Sequence, residues 1–99
     1  MDRYTVRLRR KALTDVRPIR AWYEKIDSSL EERFLQALNE ALDRIETRPN
    51  AYQVVYRSTR RVLHKFPYSV FYIVQARSVV VLAVIHHKRD WKLAQGRSE

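Results

Sequence analysis

Apolar and polar residues alternate first in "YTVRL", where Tyr4, Val6 and Leu8 fall on one face in the period-two pattern of a half-buried strand. The spacing then lengthens. Val16, Ile19, Tyr23 and Ile26 recur at helical intervals with Trp22 beside them, which predicts a helix over residues 15–26. Asp15 is placed to cap it, putting Pro18 at the third helical position, where its missing N–H has no intrahelical partner to lose. In a second helix Leu30, Phe34, Leu38, Ala41 and Ile45 follow in steps of four, four, three and four. Ser28 or Ser29, with Glu31 or Glu32 three residues later, makes a capping box in either register, and Pro49 ends the helix. The link through Asp27 and Ser28 is so short that the two helices form an antiparallel hairpin.

Past Pro49 the period returns to that of strands. "QVVYR" is a short candidate, "RRVLHKF" a better one, and "YSVFYIVQ" is rich in aromatic and β-branched residues. "VVVLAVIHH" is the most apolar and reads as a central strand buried on both faces. Pro67, which cannot donate to a ladder, marks a bend between two of these strands. "QARS" reads as a short hairpin loop, although it lacks the usual glycine or asparagine and leaves the turn type open. The fold class is α+β: an N-terminal strand, an antiparallel helix hairpin, then a three- to four-stranded antiparallel sheet with the helices over one face. Residues 1–99 suit a single domain.

Composition narrows the chemistry. With no cysteine there is no disulfide framework, thiolate zinc site or cysteine nucleophile, and packing alone must hold the chain, as suits a reducing cytoplasm. The single glycine, Gly96, argues against a glycine-cradled phosphate site. No apolar stretch approaches the length of a membrane span, and "MDRYTVRLRRK" has no apolar signal segment, so an intracellular domain is expected. The net charge of +9 is unevenly spread: residues 1–49 contribute +2 and residues 50–99 contribute +7. A one-sign field of this kind attracts phosphate backbones or an acidic protein partner, and charge alone does not separate the two.

Two segments carry a resemblance. "RRVLHKFPYSVFY" (60–72) holds an Arg-Arg pair, an apolar residue and then Phe-Pro-Tyr; "VLAVIHHKRDW" (81–91) places a histidine three residues before Arg-Asp. In Arg60, Arg61, Leu63, Phe66, Pro67, Tyr68, Tyr72, His86, Arg89 and Asp90, and in its element order, the chain resembles the RelE/ParE superfamily of bacterial type II toxin–antitoxin toxins. The resemblance implies a cognate antitoxin that wraps and neutralises the toxin. No cofactor or metal is expected, because a metal site needs three or four converging ligands and carboxylates are scarce in residues 50–99. The resemblance also implies one of two targets. RelE-like members cut mRNA in the ribosomal decoding site, whereas ParE-like members poison DNA gyrase and have lost the residues for RNA cleavage. The "HHKRDW" ending and the long, well-capped second helix look more like the ParE branch.

Each branch assigns its own residues. Metal-free RNA cleavage needs a base for the 2′-hydroxyl, cations on the phosphate and an acid for the leaving oxygen. Arg61, His86, His87 and Arg89 are the candidates, with Lys65 as a further phosphate contact. Neighbouring strand residues point to opposite faces, so His86 and His87 cannot both serve one site while the strand continues. The family's C-terminal tyrosine or lysine-rich helix edge has no counterpart, since the last tyrosine is Tyr72. For binding a target or antitoxin the candidates are Arg60, Arg61, Lys65, Lys88, Arg89, Asp90, Trp91 and Lys92. Structural roles compete throughout. His86 suits a strand end bonded to a neighbouring carbonyl, and His64, alternating with Val62 and Phe66, suits a core edge. Arg60 and Arg61 face opposite ways, so one is expected as a surface cation and the other paired with Asp90 or a helix carboxylate. A third possibility, outside toxins, is a basic module whose aromatics stack on nucleic-acid bases.

Overall fold

The computed structural model describes residues 3–63 and 66–86, with Leu63 described by its backbone alone. Strand β1 (Thr5–Leu8) leads into helices α1 (Arg10–Ile26) and α2 (Ser28–Thr47). A short 3-10 turn (Pro49–Ala51) follows, then strands β2 (Val54–Tyr56), β3 (Thr59–Leu63), β4 (Tyr68–Gln75) and β5 (Ser78–His86). They form one sheet in the order β1-β5-β4-β3-β2. The α+β expectation holds, and β2 through β5 are antiparallel neighbours. β1 enters differently: it joins β5 in parallel, Thr5 opposite Ser78 and Leu8 opposite Val81. β5 is buried on both faces, as its composition requires, but β4 holds the central place in the sheet.

Helix α1 starts five residues before its expected cap. Arg9 is the N-cap and its side chain makes no capping hydrogen bond; its carbonyl accepts from the Leu13 amide at 3.1 Å. The reason lies in "RKAL", a run of good helix formers whose alanine, Ala12, is fully buried and begins the inward stripe that Val16, Ile19 and Tyr23 continue. Asp15 therefore sits in the second turn and caps a different group, described below. Pro18 is interior to the helix and deprives the Thr14 carbonyl of its helical donor, on an exposed face where water can serve that oxygen. Ile26 and Trp22, expected on or beside the buried stripe, are 57% and 61% exposed because they lie past the end of the sheet-facing arc.

The helix connection is a single residue. Asp27 donates its amide to the Tyr23 carbonyl at 2.9 Å, ending α1, and its carboxylate accepts from the Ser29 amide at 2.9 Å, starting α2. This replaces the expected serine capping boxes, because an aspartate one residue earlier already satisfies the orphan amide. The Ser29 N–H first, and the Ser29 hydroxyl second, hold the Asp27 carboxyl below its ordinary range. Across the hairpin Arg20 Nε donates to Glu31 Oε2 at 3.0 Å. The α2 stripe Phe34, Leu38, Ala41 and Ile45 is buried as expected, with Ala37 beside it.

The helix stripes pack on Val62, Val70, Tyr72, Val79, Val81 and Val84 to form the main core. The opposite face of the sheet holds two further buried clusters, one of Phe71, Ala83 and Ile85 and one of Ile73, Val80 and Leu82. Two of the sheet's hairpins, β2–β3 and β4–β5, close with two-residue loops, Arg57-Ser58 and Ala76-Arg77. The first loop residue has positive φ in each case, 50° at Arg57 and 55° at Ala76, the sign pattern of a type II′ turn. That resolves the turn left open in "QARS". It also places a β-carbon where glycine is the residue of choice, a cost of about 1 kcal/mol per site.

Candidate functional site

Faces of the sheet decide which candidate residues can meet. In β4, Tyr68, Val70, Tyr72 and Val74 face the helices. β3 runs beside it with Arg60 opposite Tyr72 and Arg61 opposite Phe71. Arg60 thus shares the helix face, and its guanidinium donates to the carbonyls of Tyr52 at 2.6 Å and Asn50 at 3.2 Å. The expected carboxylate partner is replaced by main-chain oxygens of the segment that follows α2. Nearby, the buried Tyr72 hydroxyl donates to the Pro49 carbonyl at 2.5 Å. Burial is the main cause of the Tyr72 pKa being pushed up to about 12, with Arg60 opposing it and Tyr52 adding to it. Arg60 and Tyr72 tie the chain leaving α2 down onto the sheet.

Arg61 lies on the other face, beside the Phe71 cluster, and its side chain has no hydrogen bond or ion pair among the described residues.

The register of β5 places His86. Tyr72 pairs with Val81 but Phe71 pairs with Ala83, so Leu82 is an extra residue, a β-bulge. Leu82 and Ala83 both point away from the helices, and Val84 and His86 then return to the helix side. Unbroken alternation from Val79 would send His86 to the face of Arg61; the bulge reverses this. His86 stands opposite Tyr68, with ring centroids 5.2 Å apart at 80°.

Tyr68 belongs to an aromatic group at this end of the sheet. Its ring lies 5.8 Å from that of Phe34, and Phe34 is 5.7 Å from both Tyr23 and Phe66. Tyr23 and Phe66 meet edge to face at 5.0 Å. Burial first, then Tyr23, pushes the Tyr68 pKa up to about 12. At neutral pH Tyr68 is therefore a phenol that can donate a proton in a hydrogen bond but does not act as a base.

One contact on this end had no forecast. The Val84 amide donates to Asp15 Oδ2 at 3.0 Å, so a helix carboxylate serves the strand just past the bulge. The signal was present once α1 is begun at Arg10: Asp15 falls three residues after Ala12 and four before Ile19, a carboxylate on the apolar side of the helix.

Of the candidate nuclease residues only Arg61 and His86 are described, and they lie on opposite faces of the sheet. Arg60, a candidate binding residue, is committed to main-chain carbonyls. His64, Lys65, His87, Lys88, Arg89, Asp90, Trp91 and Lys92 lie outside the described residues. Among the described residues no three His, Asp or Glu side chains gather as a metal site would require. No helix of the described residues is long and apolar enough to cross a membrane.

A leading strand, a helix hairpin over one face and a bulged five-stranded sheet define a small α+β class, and comparison with known proteins gives it a family. Residues 6–91 match the family described as ParE toxin of type II toxin-antitoxin system, parDE. The chain belongs to that ParE toxin family. Its fold is similar to a solved chain titled "Chromosomal ParDE TA system from P. aeruginosa", with a TM-score of 0.73 and 16% identity. That likeness covers 84% of this chain and 95% of the other. No curated protein matches the chain by sequence.

Proposed function

We propose that this ParE-family toxin inhibits DNA gyrase by binding rather than by turnover, in the cytoplasm, and is neutralised by direct contact with a cognate antitoxin. The observation that carries the reading is the separation of Arg61 from His86 by the thickness of the sheet. RNA cleavage needs its base, acid and phosphate cations to converge on a few atoms. Among the described residues Arg61 and His86 diverge. Binding makes no such demand. It can use the basic excess of residues 50–99, with Arg61 and the Lys88–Lys92 segment as target contacts. The same charge, with Trp22 and Ile26 exposed on α1, suits an acidic, partly apolar antitoxin segment.

The test is induction of this chain in bacteria lacking an antitoxin, with pulse labelling of DNA and protein synthesis, followed by supercoiling assays on purified gyrase. Early failure of DNA synthesis, with supercoiling inhibited by wild type and His86→Ala and that inhibition weakened by Arg61→Ala but far more by Arg89→Ala/Lys92→Ala, is the expected pattern. Early collapse of protein synthesis, with RNA cuts abolished by His86→Ala, would transfer the chain to the ribosome-dependent nuclease reading.

A further inference from the structure

The geometry points to Asp15 as a positioning residue for the functional end of β5. β1 supports β5 only as far as Val81, where Leu8 is its last partner and the Arg9 amide donates to the Val81 carbonyl at 3.0 Å. One residue later comes the bulge at Leu82, which interrupts the ladder, bends the strand and increases its twist. From there to His86, β4 is the only strand beside β5 among the described residues.

At the first residue that returns to the helix side, Val84, the amide is held by Asp15. The carboxylate does for this strand what the next carbonyl of β1 would have done had β1 continued. It is carried on α1, whose Ala12 and Val16 are buried against the sheet, so the carboxylate comes from an element packed on the core. A carboxylate accepting an amide is also a stronger bond than a neutral carbonyl makes.

The bond has a consequence two residues on. The bulge decides which face His86 occupies, and a strand free to lose its bulge could slip by one residue and exchange its faces. Pinning Val84 to α1 fixes the bulged register, and so fixes His86 against Tyr68. His86 immediately precedes His87 and the Lys88–Lys92 segment in sequence, so Asp15 sets the place from which the proposed target contacts begin. Only this last step rests on the gyrase reading.

The experiment compares the full-length wild type with Asp15→Ala and Asp15→Asn. Three quantities are read: amide exchange at Val84, the ring-current shift of the His86 imidazole protons over Tyr68, and inhibition of purified gyrase. Asp15→Ala is expected to speed Val84 exchange by roughly ten- to a hundredfold, leaving Val79–Val81 protected. It is also expected to move the His86 signals and to raise the toxin concentration for half-inhibition about tenfold, the scale of one lost hydrogen bond. Asp15→Asn, whose amide oxygen still accepts, should keep most of all three.

Fast Val84 exchange with unmoved His86 signals would overturn the proposal, because the cap would then be local. Equal losses in the alanine and asparagine variants would overturn it too, by assigning the effect to charge. Should the alanine variant not fold, Asp15→Ser, which stays hydrated but is too short to reach Val84, takes its place. If wild type leaves gyrase untouched, the gyrase reading falls and Asp15 is judged on exchange and ring shift alone.

Discussion

Tyr72 and Tyr68 stand four residues apart on the same face of β4, and both have pKa values pushed up to about 12, yet they anchor two unlike ends of the sheet. At the Tyr72 end the contacts are polar and directed: a phenol on the Pro49 carbonyl and a guanidinium on those of Asn50 and Tyr52. Each donor there has a main-chain partner, so the end is built to hold the exit of α2 in one place. At the Tyr68 end ring contacts predominate, with Phe34 at the hub and His86 on the rim, beside a Tyr68–Tyr23 hydrogen bond and the Asp15–Val84 bond. Ring contacts tolerate small shifts better than hydrogen bonds do. The lesson is that two similar tyrosines with the same perturbation serve a fixed joint at one end and a surface-facing platform at the other.

The strongest way to break this comparison is at the hub. Phe34 is fully buried, so Phe34→Ala should cost about 3–5 kcal/mol in urea unfolding, the range for emptying a large core site. The polar end should break at a lower cost: Tyr72→Phe leaves the Pro49 carbonyl without its phenol donor and should cost about 1–3 kcal/mol in the same assay.

Alkali sharpens the contrast. A phenol whose pKa is raised by folding contributes stability that is complete below the unfolded value of 10 and is lost as pH rises toward about 12. For the fully buried Tyr72 a two-unit rise corresponds to about 2–3 kcal/mol. Stability followed by denaturant between pH 9 and pH 12 should therefore fall in wild type and fall less steeply in Tyr72→Phe. A slope unchanged by that substitution would mean that Tyr72 is not the group responsible.

Smaller effects should appear away from both ends. Ala76→Gly relieves a β-carbon at φ 55° and should raise stability by about 1 kcal/mol or less, read as a higher urea midpoint. Arg61→Ala should leave stability within about 0.5 kcal/mol, since that side chain bonds nothing among the described residues. A large loss there would show that the back face of the sheet relies on Arg61.

Much of this architecture was legible from residue spacing. The α2 stripe, the bounds of β4 and the hairpin joining the helices all follow from periodicity and from link length. Three features were not, each for a physical reason. Ala12 is too small to mark a helix stripe, so periodicity alone starts α1 late and makes Asp15 a cap for its own helix. The bulge at Leu82 inserts one apolar residue into an apolar run, which no alternation can reveal. It is also the feature that moves His86 to the face opposite Arg61, so which candidates share a face could not be read without it. Arg60 found carbonyls instead of a carboxylate because its partners lie in the irregular segment 50–52, where sequence pattern says nothing about direction.

The parallel pairing of β1 with β5 bears on the order in which this molecule can be made. Thr5 must find Ser78, and the intervening chain has to be looped out before that contact is rewarded. Among the described strands the ribosome makes β1 first and its one strand neighbour, β5, last. A nascent chain can form the helix hairpin as soon as it emerges, since that contact is local, but its first strand has no place in a sheet until β5 follows. The sheet is thus closed from both ends of the described chain at once, and a growing toxin lacks its native edge until synthesis has passed Val81.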